Sequence, residues 1–258
     1  LVRDEDLDPG RSRPAIAAQQ LSDLTALGLD WDGPVIHQSA RSARYAEAAA
    51  QLERDGLLYR CWCTRAEIRD AARAPHGHAG GDGYPGTCRE LSRARIAERE
   101  ATGRPAALRV MAGGASASFT DRQAGPQRGV VDDFVVRRGD GAFAYNLAVV
   151  IDDHDQGIGE VVRGADLLAT TPRQVWLHER LGLAVPSYVH VPLLLGGDGE
   201  RLAKRHGAVT LADRAAIGER VADVRAALAR QLGLAAPGAP ATPESIVAVA
   251  RTLLAAAA

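Results

Sequence analysis

Lysine is almost absent from this chain. Of the 31 basic residues among 258, all but Lys204 are arginine. Abundant Ala, Arg and Gly fit a G+C-rich coding bias. A single lysine kept against that bias marks a position needing a compact, flexible ammonium rather than a planar guanidinium. Cysteine is also scarce. Three residues cannot all pair within one chain, which counts against a disulfide framework and points to a reducing compartment, the cytoplasm. No uncharged apolar run is long enough to span a bilayer, so no membrane partner is expected. The net charge of −1 gives no whole-surface case for nucleic acid. Neither a Gly-x-Ser-x-Gly elbow nor a Walker phosphate loop occurs, which counts against serine hydrolases and P-loop enzymes. No internal repeat is present.

What remains is ordinary for a soluble globular protein: 46% apolar and 24% charged residues, enough for one large domain or two small ones. The chain opens at Leu1 without a signal-peptide pattern, and LVRDEDLDPG reads as a strand end entering a polar loop. Upstream sequence is therefore expected. Residues 59–111 carry 10 Arg against 6 acidic residues, a small surplus that suits a phosphate contact or an ordinary surface.

The periodicity predicts a helix after Arg13-Pro14, with Ser12 as cap, an apolar stripe of Ile16, Leu21, Leu24 and Leu27, and a stop at Gly28. Residues 35–38 read as a short strand. A second helix, capped by Ser39 and ending at Gly56, places Tyr45, Ala48, Ala49 and Leu52 on one face. Residues 57–63 read as a strand entering a Cys-x-Cys turn, and Thr64 with Glu67 forms a capping box. A Gly-, Pro- and His-rich loop spans 74–87, and a polar helix 89–102. Strand-like runs follow at 106–111, 116–120 and 130–138. Residues 143–151 are apolar without a period, so strand and helix both stay open. Thr171-Pro172 starts a helix burying Val175, Trp176, Leu177 and Leu181. Residues 188–195 read as a buried strand, and Thr242-Pro243-Glu244 starts the last helix. Strands alternating with helices at both ends argue for an α/β fold split by a small β-containing insert.

Four constellations could carry chemistry. Cys61, Cys63 and Cys88 around a Gly-rich loop suit tetrahedral zinc, a structural staple for an insert with little core. Its fourth ligand is open between Tyr84, His76 and His78. The alternative is three small buried apolar residues. The run GGDGERLAKRHG at 196–207 places Arg201, Lys204, Arg205 and His206 on a loop, where cations can stabilise charge on a transferring phosphate. It also reads as a solvated surface loop. The acidic run at 3–8 could bind an ammonium or a metal, or cap the next helix. Asp152, Asp153, His154 and Asp155 suggest metal binding or acid–base chemistry, but a polar helix end is the better reading.

LVRDEDLDPGRSRP at 1–14, FAYNLAVVIDDHDQGIGEVVRGADLL at 143–168 and YVHVPLLLGGDGERLAKRHGA at 188–208 together resemble the catalytic half of glutamyl-type class I aminoacyl-tRNA synthetases. The likeness covers most of residues 1–208. Arg201, Leu202, Ala203, Lys204 and Arg205 resemble the second class signature, usually written KMSKS. The short branch acting on queuosine in tRNA(Asp) fits best, because only 53 residues follow Arg205, too few for a large anticodon-reading region. That branch carries a zinc knot of order Cys-x-Cys, Tyr-x-x-x-Cys, matched by Cys61, Cys63, Tyr84 and Cys88. The long loop before Tyr84 keeps His76 and His78 as rivals.

The resemblance implies a Rossmann-like parallel sheet in residues 1–58 and 141–208, its first strand missing. An acceptor-binding-type insert with one structural zinc would occupy 59–140, and a helical segment 209–258. It implies an ATP-dependent ligase, with Mg²⁺ on ATP, that activates L-glutamate and transfers it to queuosine in the anticodon of tRNA(Asp). A monomer is expected. By position, Glu5 holds the substrate amino group, Tyr145 and Arg163 bind glutamate, and Lys204 steadies the ATP phosphates. The family's first signature, a His-x-Gly-His segment, would lie before Leu1. Asp4 stands where the family has an apolar residue, and Ala203 replaces a serine. Two rival readings are a non-catalytic or truncated RNA-binding module derived from a synthetase, and a fragment of an ordinary glutamyl-tRNA synthetase.

Overall fold

A computed structural model describes residues 1–10, 12–64, 66–68, 84–196, 198–200 and 210–256. The first elements are β1 (Arg3–Asp4), α1 (Pro14–Ala26), β2 (Ile36–His37), α2 (Ser42–Arg54) and β3 (Leu58–Cys61). Next come α3 (Arg93–Ala101), β4 (Ala107–Val110), β5 (Ser116–Asp121), β6 (Gly125–Val130) and β7 (Val135–Arg137). The chain continues with α4 (Tyr145–Asp155), β8 (Glu160–Gly164), α5 (Thr171–Leu181) and β9 (Ser187–Val191). It closes with α6 (Leu211–Ala216), α7 (Val221–Gln231) and α8 (Pro243–Ala256). The backbone divides into two units, one of residues 1–4, 9–36 and 193–258, the other of residues 5–8 and 37–192.

In the first unit the Ile36 N–H donates to the Val2 carbonyl at 3.0 Å. Pro14 sits in the first turn of α1, where its missing N–H costs nothing. Arg13, not Ser12, is the N-cap, and no side chain caps the turn. The apolar stripe seats only in part: Leu21, Leu24 and Leu27 are half-buried, while Ile16 is half exposed. Arg225 gives Nη1 to the Leu27 carbonyl at 3.1 Å and Nε to the Ala241 carbonyl at 2.8 Å. One guanidinium thereby ties the end of α1 to the loop that leads into α8. Thr210 and Asp213 form a reciprocal capping box at α6.

The second unit holds a three-stranded antiparallel sheet of order β3-β4-β7 and a four-stranded sheet of order β6-β5-β9-β8. In the latter, β9 runs parallel to both β8 and β5, and β6 is antiparallel to β5. The sheet is therefore mixed rather than purely parallel. The β5–β6 hairpin lies in the stretch expected to form the insert, yet it completes the sheet of β8 and β9. Its three-residue turn closes through Gly125 at φ +74°, a left-handed position that suits glycine. Pro126 is tolerated because β6 is an edge strand.

The helix α2 shows the expected stripe: Tyr45, Ala48, Ala49 and Leu52 are all buried. Its N-cap is Arg41 rather than Ser39, two residues later than expected, because Ser39 lies in a 3-10 turn at Gln38–Arg41. The apolar run after Phe143 is a helix, α4, buried at every residue from Leu147 to Asp153. Burial on all sides removes the period, which is why pattern alone could not separate helix from strand. Each such aliphatic side chain contributes about 1.5–3 kcal/mol. The helix α5 buries Val175, Trp176, Leu177 and Leu181 as expected. The strand expected at 188–195 ends at Val191, since Pro192 has no N–H to continue a ladder. Leu194 and Leu195 are exposed. The run at 130–138 is broken between β6 and β7.

Candidate active site and thiol cluster

Three adjacent strands place one polar row across the carboxyl edge of the mixed sheet. Asp121 ends β5, His190 is next to last in β9, and Arg163 is next to last in β8, opposite His190 in the parallel register. The carboxyl edge of parallel strands is where open α/β sheets bind ligands. Asp121 and His190 are both buried, with Oδ2 and Nδ1 at 2.6 Å. Asp121 also accepts the backbone N–H groups of Gln123 at 3.0 Å, Ala124 at 2.8 Å and His190 at 3.1 Å. Although burial opposes it, these donors hold the Asp121 carboxyl below the usual range.

Arg163 is half-buried. Its Nε donates to His190 Nε2 at 3.1 Å, Nη1 to Gln174 Oε1 at 2.7 Å and Nη2 to Thr171 Oγ1 at 2.6 Å. Gln174 in turn donates to Asn146 Oδ1 at 3.2 Å. All three acceptors of the guanidinium are uncharged when His190 is neutral, so its positive charge is oriented without being cancelled at contact. Its carbon centre lies 5.3 Å over the Tyr188 ring. Burial pushes the Tyr188 hydroxyl up to about 12.

Tyr145, the first residue of α4, is 39% exposed. Burial and the Glu5 carboxylate raise its hydroxyl, while the Arg163 guanidinium opposes that shift. Tyr145 is thus influenced by both of the other residues expected to bind glutamate, Glu5 and Arg163.

The thiol cluster lies at the end of β3. The sulfurs of Cys61, Cys63 and Cys88 fall within 4.8 Å of one another. Cys63 and Cys88 sulfurs are 3.5 Å apart, and the Tyr84 hydroxyl is 3.3 Å from Cys61 and 3.6 Å from Cys63. A tetrahedral ion with Zn–S bonds of about 2.3 Å sets its sulfurs about 3.8 Å apart. The donor set fits zinc in kind and in spacing. Arg109 is 9% exposed and stands 3.8 Å over the Tyr84 ring. Its Nη1 donates to the Asp133 carbonyl at 2.7 Å. Burial would raise the Cys61 thiol, but the Tyr84 hydroxyl, the Cys63 backbone and Arg109 outweigh it and lower the thiol. Cys63 is pushed upward by burial and by its two sulfur neighbours.

Beneath the cluster, the buried Asp133 carboxylate accepts Tyr59 Oη at 2.7 Å, Arg89 Nε at 2.6 Å and the Ala112 N–H at 3.0 Å. The capping box of Thr64 and Glu67 is present, at 2.6 and 3.0 Å. An open depression of about 520 Å³ is lined by Arg60, Arg104, Arg137 and Arg138 beside Trp62, with Glu53 and Glu100. Arg60 pairs with Glu100, and Arg138 with Asp8 and Asp140.

Asp152 is more than part of a polar helix end. It is fully buried and accepts Gln38 Nε2 at 2.8 Å, Arg41 Nε at 2.6 Å and Tyr45 Oη at 2.9 Å. It therefore fastens α2 to α4. In the acidic run at the chain start, Asp6 takes both the N–H and the hydroxyl of Ser39, at 2.8 and 2.6 Å. It caps the 3-10 turn. Asp4 lies half-buried in β1.

Sequence reasoning missed Asp121, His190, Thr171, Gln174, Asp133 and Arg109. One signal was available for His190: two residues beyond the inward Tyr188 of a strand, it had to share that face. The candidate signature residues Arg201, Leu202, Ala203, Lys204 and Arg205 lie outside the described residues, as do His76 and His78. No helix among the described residues is long and apolar enough to cross a membrane.

The catalytic-domain family "tRNA synthetases class I (E and Q)" matches residues 1–244. The chain therefore belongs to that family of class I aminoacyl-tRNA synthetases, a family of ligases. A relative from Nocardia farcinica, named Glutamyl-Q tRNA(Asp) synthetase, is 57% identical over 91% of this chain and 74% of its own length. A second so named, from Symbiobacterium thermophilum, is 47% identical over 96% of this chain and 81% of its own length. Among solved structures, a glutamate-tRNA synthetase from Elizabethkingia anophelis matches with a TM-score of 0.67 at 24% identity. That match covers 84% of this chain and 46% of the other, so this chain spans about half the length of that protein. The likeness shows a shared fold.

Proposed function

We propose that this protein activates L-glutamate with ATP and transfers it to queuosine in the anticodon of tRNA(Asp). The observation that carries the reading is Arg163, a guanidinium aimed by three uncharged acceptors at the carboxyl edge of the sheet, beside Tyr145. Such a cation is suited to a substrate carboxylate. Glu5 supplies the opposite charge for the substrate ammonium. The name borne by the relatives supports glutamate as the amino acid and queuosine in tRNA(Asp) as the acceptor. The same support counts against an ordinary glutamyl-tRNA synthetase fragment or a non-catalytic module.

In the first step an oxygen of the glutamate α-carboxylate attacks the α-phosphorus of ATP. The bond to the β-phosphate oxygen breaks, giving glutamyl-adenylate and pyrophosphate. Lys204, in the signature-like run 201–205, steadies the charge that moves onto the leaving phosphates. Mg²⁺ accompanying ATP would supply further positive charge for the phosphates. In the second step a hydroxyl of the queuosine cyclopentenediol attacks the adenylate carbonyl. AMP leaves, the hydroxyl proton passes to solvent, and an ester remains.

Cys61, Cys63 and Cys88, with Tyr84 as fourth donor, would hold one zinc ion, which cross-links the insert of residues 59–140. Arg60, Arg104, Arg137 and Arg138 give that region a face for RNA phosphates. Three cysteines grouped as metal donors rather than paired support a reducing compartment such as the cytoplasm.

The test is glutamate-dependent ATP–pyrophosphate exchange by the full-length protein, followed by transfer of labelled glutamate to tRNA(Asp). Exchange without tRNA, and transfer only to tRNA(Asp) containing queuosine, is the expected result. Transfer to the 3′ end of tRNA(Glu), or no exchange at all, would overturn the reading.

A further inference from the structure

We infer that Asp121 and His190 are positioning residues that aim Arg163, acting through the tautomer of the His190 ring; the inference rests on Arg163 as the anchor for glutamate. The path crosses three neighbouring strands. Asp121 on β5 faces His190 Nδ1 at 2.6 Å, and His190 Nε2 faces Arg163 Nε at 3.1 Å.

The donor inventory decides the protonation. An arginine Nε has one hydrogen and no lone pair, so His190 Nε2 must accept. A neutral imidazole that accepts at Nε2 carries its hydrogen at Nδ1, where a carboxylate oxygen waits to receive it. Were the Nε2–H tautomer present, two donors would face each other at 3.1 Å. Thr171 Oγ1, also 3.1 Å from Nε2, already accepts from Arg163 Nη2 and gives its hydrogen to the Leu167 carbonyl at 3.1 Å. Nothing else among the described residues is needed to complete the ring's bonds.

The arrangement separates orientation from neutralisation. Asp121 is the nearest carboxylate on this path, yet the ring lies between it and Arg163. A carboxylate in direct contact would hold the guanidinium equally well but would cancel the charge the substrate needs.

The Asp121→Asn change tests the ring. Asp121 Oδ1 accepts the Gln123 and Ala124 N–H groups, so an asparagine keeps its oxygen there and turns its NH₂ toward Nδ1, giving up the His190 backbone N–H that Oδ2 accepts at 3.1 Å. The ring is then driven to the Nε2–H tautomer. By calorimetry, Asp121→Asn should weaken L-glutamate binding about tenfold, the worth of one charge-assisted hydrogen bond, with ATP affinity unchanged. His190→Gln places an amide oxygen near the position of Nε2, needs no tautomer, and should weaken glutamate binding less than about threefold. In that background Asp121→Asn should add less than about threefold, because no tautomer remains for it to reverse and only the backbone N–H of residue 190 loses its acceptor.

Equal losses from Asp121→Asn in both backgrounds, or no loss in either, would overturn the inference. Arg163→Ala with unchanged glutamate affinity would instead overturn the anchor. Should Asp121→Asn fail to fold, ¹⁵N shifts of His190 in the unaltered protein decide: a protonated Nδ1 supports the inference, and a protonated Nε2 refutes it.

Discussion

Two arginines of the same unit, Arg163 and Arg109, each stand over a tyrosine ring, and they are held in opposite ways. Arg163 is gripped by His190, Gln174 and Thr171, neutral side chains from β9 and α5. On the proposed reading its charge is left for a substrate carboxylate. Arg109 is almost wholly covered, stands 3.8 Å over the Tyr84 ring and is near the thiol of Cys61, which its charge helps to acidify. Its charge is directed inward, to sulfurs of the same chain. A guanidinium meant for a ligand is oriented by dipoles, and one meant for a structural centre lies against that centre's own anions.

The sharpest way to break this contrast is Arg163→Ala. Glutamate affinity should fall by roughly a thousandfold, about 4 kcal/mol, because both the anchor charge and its hydrogen bonds are lost. Calorimetry reads the loss, and zinc content by metal analysis should stay at one per chain. A parallel loss of zinc would mean that the two sites are not separate.

The next effect concerns α5, which supplies Thr171 and Gln174 as acceptors to Arg163. One turn after Gln174, His178 is buried and its pKa is lowered to about 4 by burial and by His154. An unfolded histidine titrates near 6.5. As pH falls below about 6.5 the unfolded chain takes up a proton that the folded chain refuses until about pH 4. Stability should therefore drop by up to about 3 kcal/mol across that window and level off below it. Denaturant titrations at pH 7, 5 and 4 check the slope. His178→Leu should flatten it, and an unchanged slope would assign the acid sensitivity elsewhere.

The smallest effect falls on the other arginine. Arg109→Gln keeps hydrogen-bonding capacity but removes the charge beside Cys61. Zinc should then pass to a chelator about fivefold faster, since a thiolate loses roughly 1 kcal/mol of support. Glutamate affinity should not change. Equal release rates would reduce Arg109 to a packing residue.

The two sites also differ in how far they could be read from residues in order. The thiol cluster was nearly complete, because Cys61 with Cys63 and Tyr84 with Cys88 lie close in sequence and sulfur has few other uses in a reducing compartment. The stripe of Tyr45, Ala48, Ala49 and Leu52 was legible for the same reason: local spacing dictates one helix face. Around Arg163 only the anchor was legible. Asp121, Thr171, Gln174 and His190 come from β5, α5 and β9, and none belongs to a local pattern. Asp152 was misjudged because a helix-end carboxylate is usually solvated, and only the packing of α2 brings Gln38, Arg41 and Tyr45 to it.

By itself the sequence determined the family, most helix faces, the thiol donors and which residue types could meet a carboxylate or a phosphate. Those properties depend on side-chain chemistry and on periods of a few residues. The tertiary structure decided which strand lies beside which, and so that a buried carboxylate, a histidine and an arginine stand in one row. Strand order is set by burial of whole elements against one another, a sum over many distant apolar contacts that no short run of residues carries.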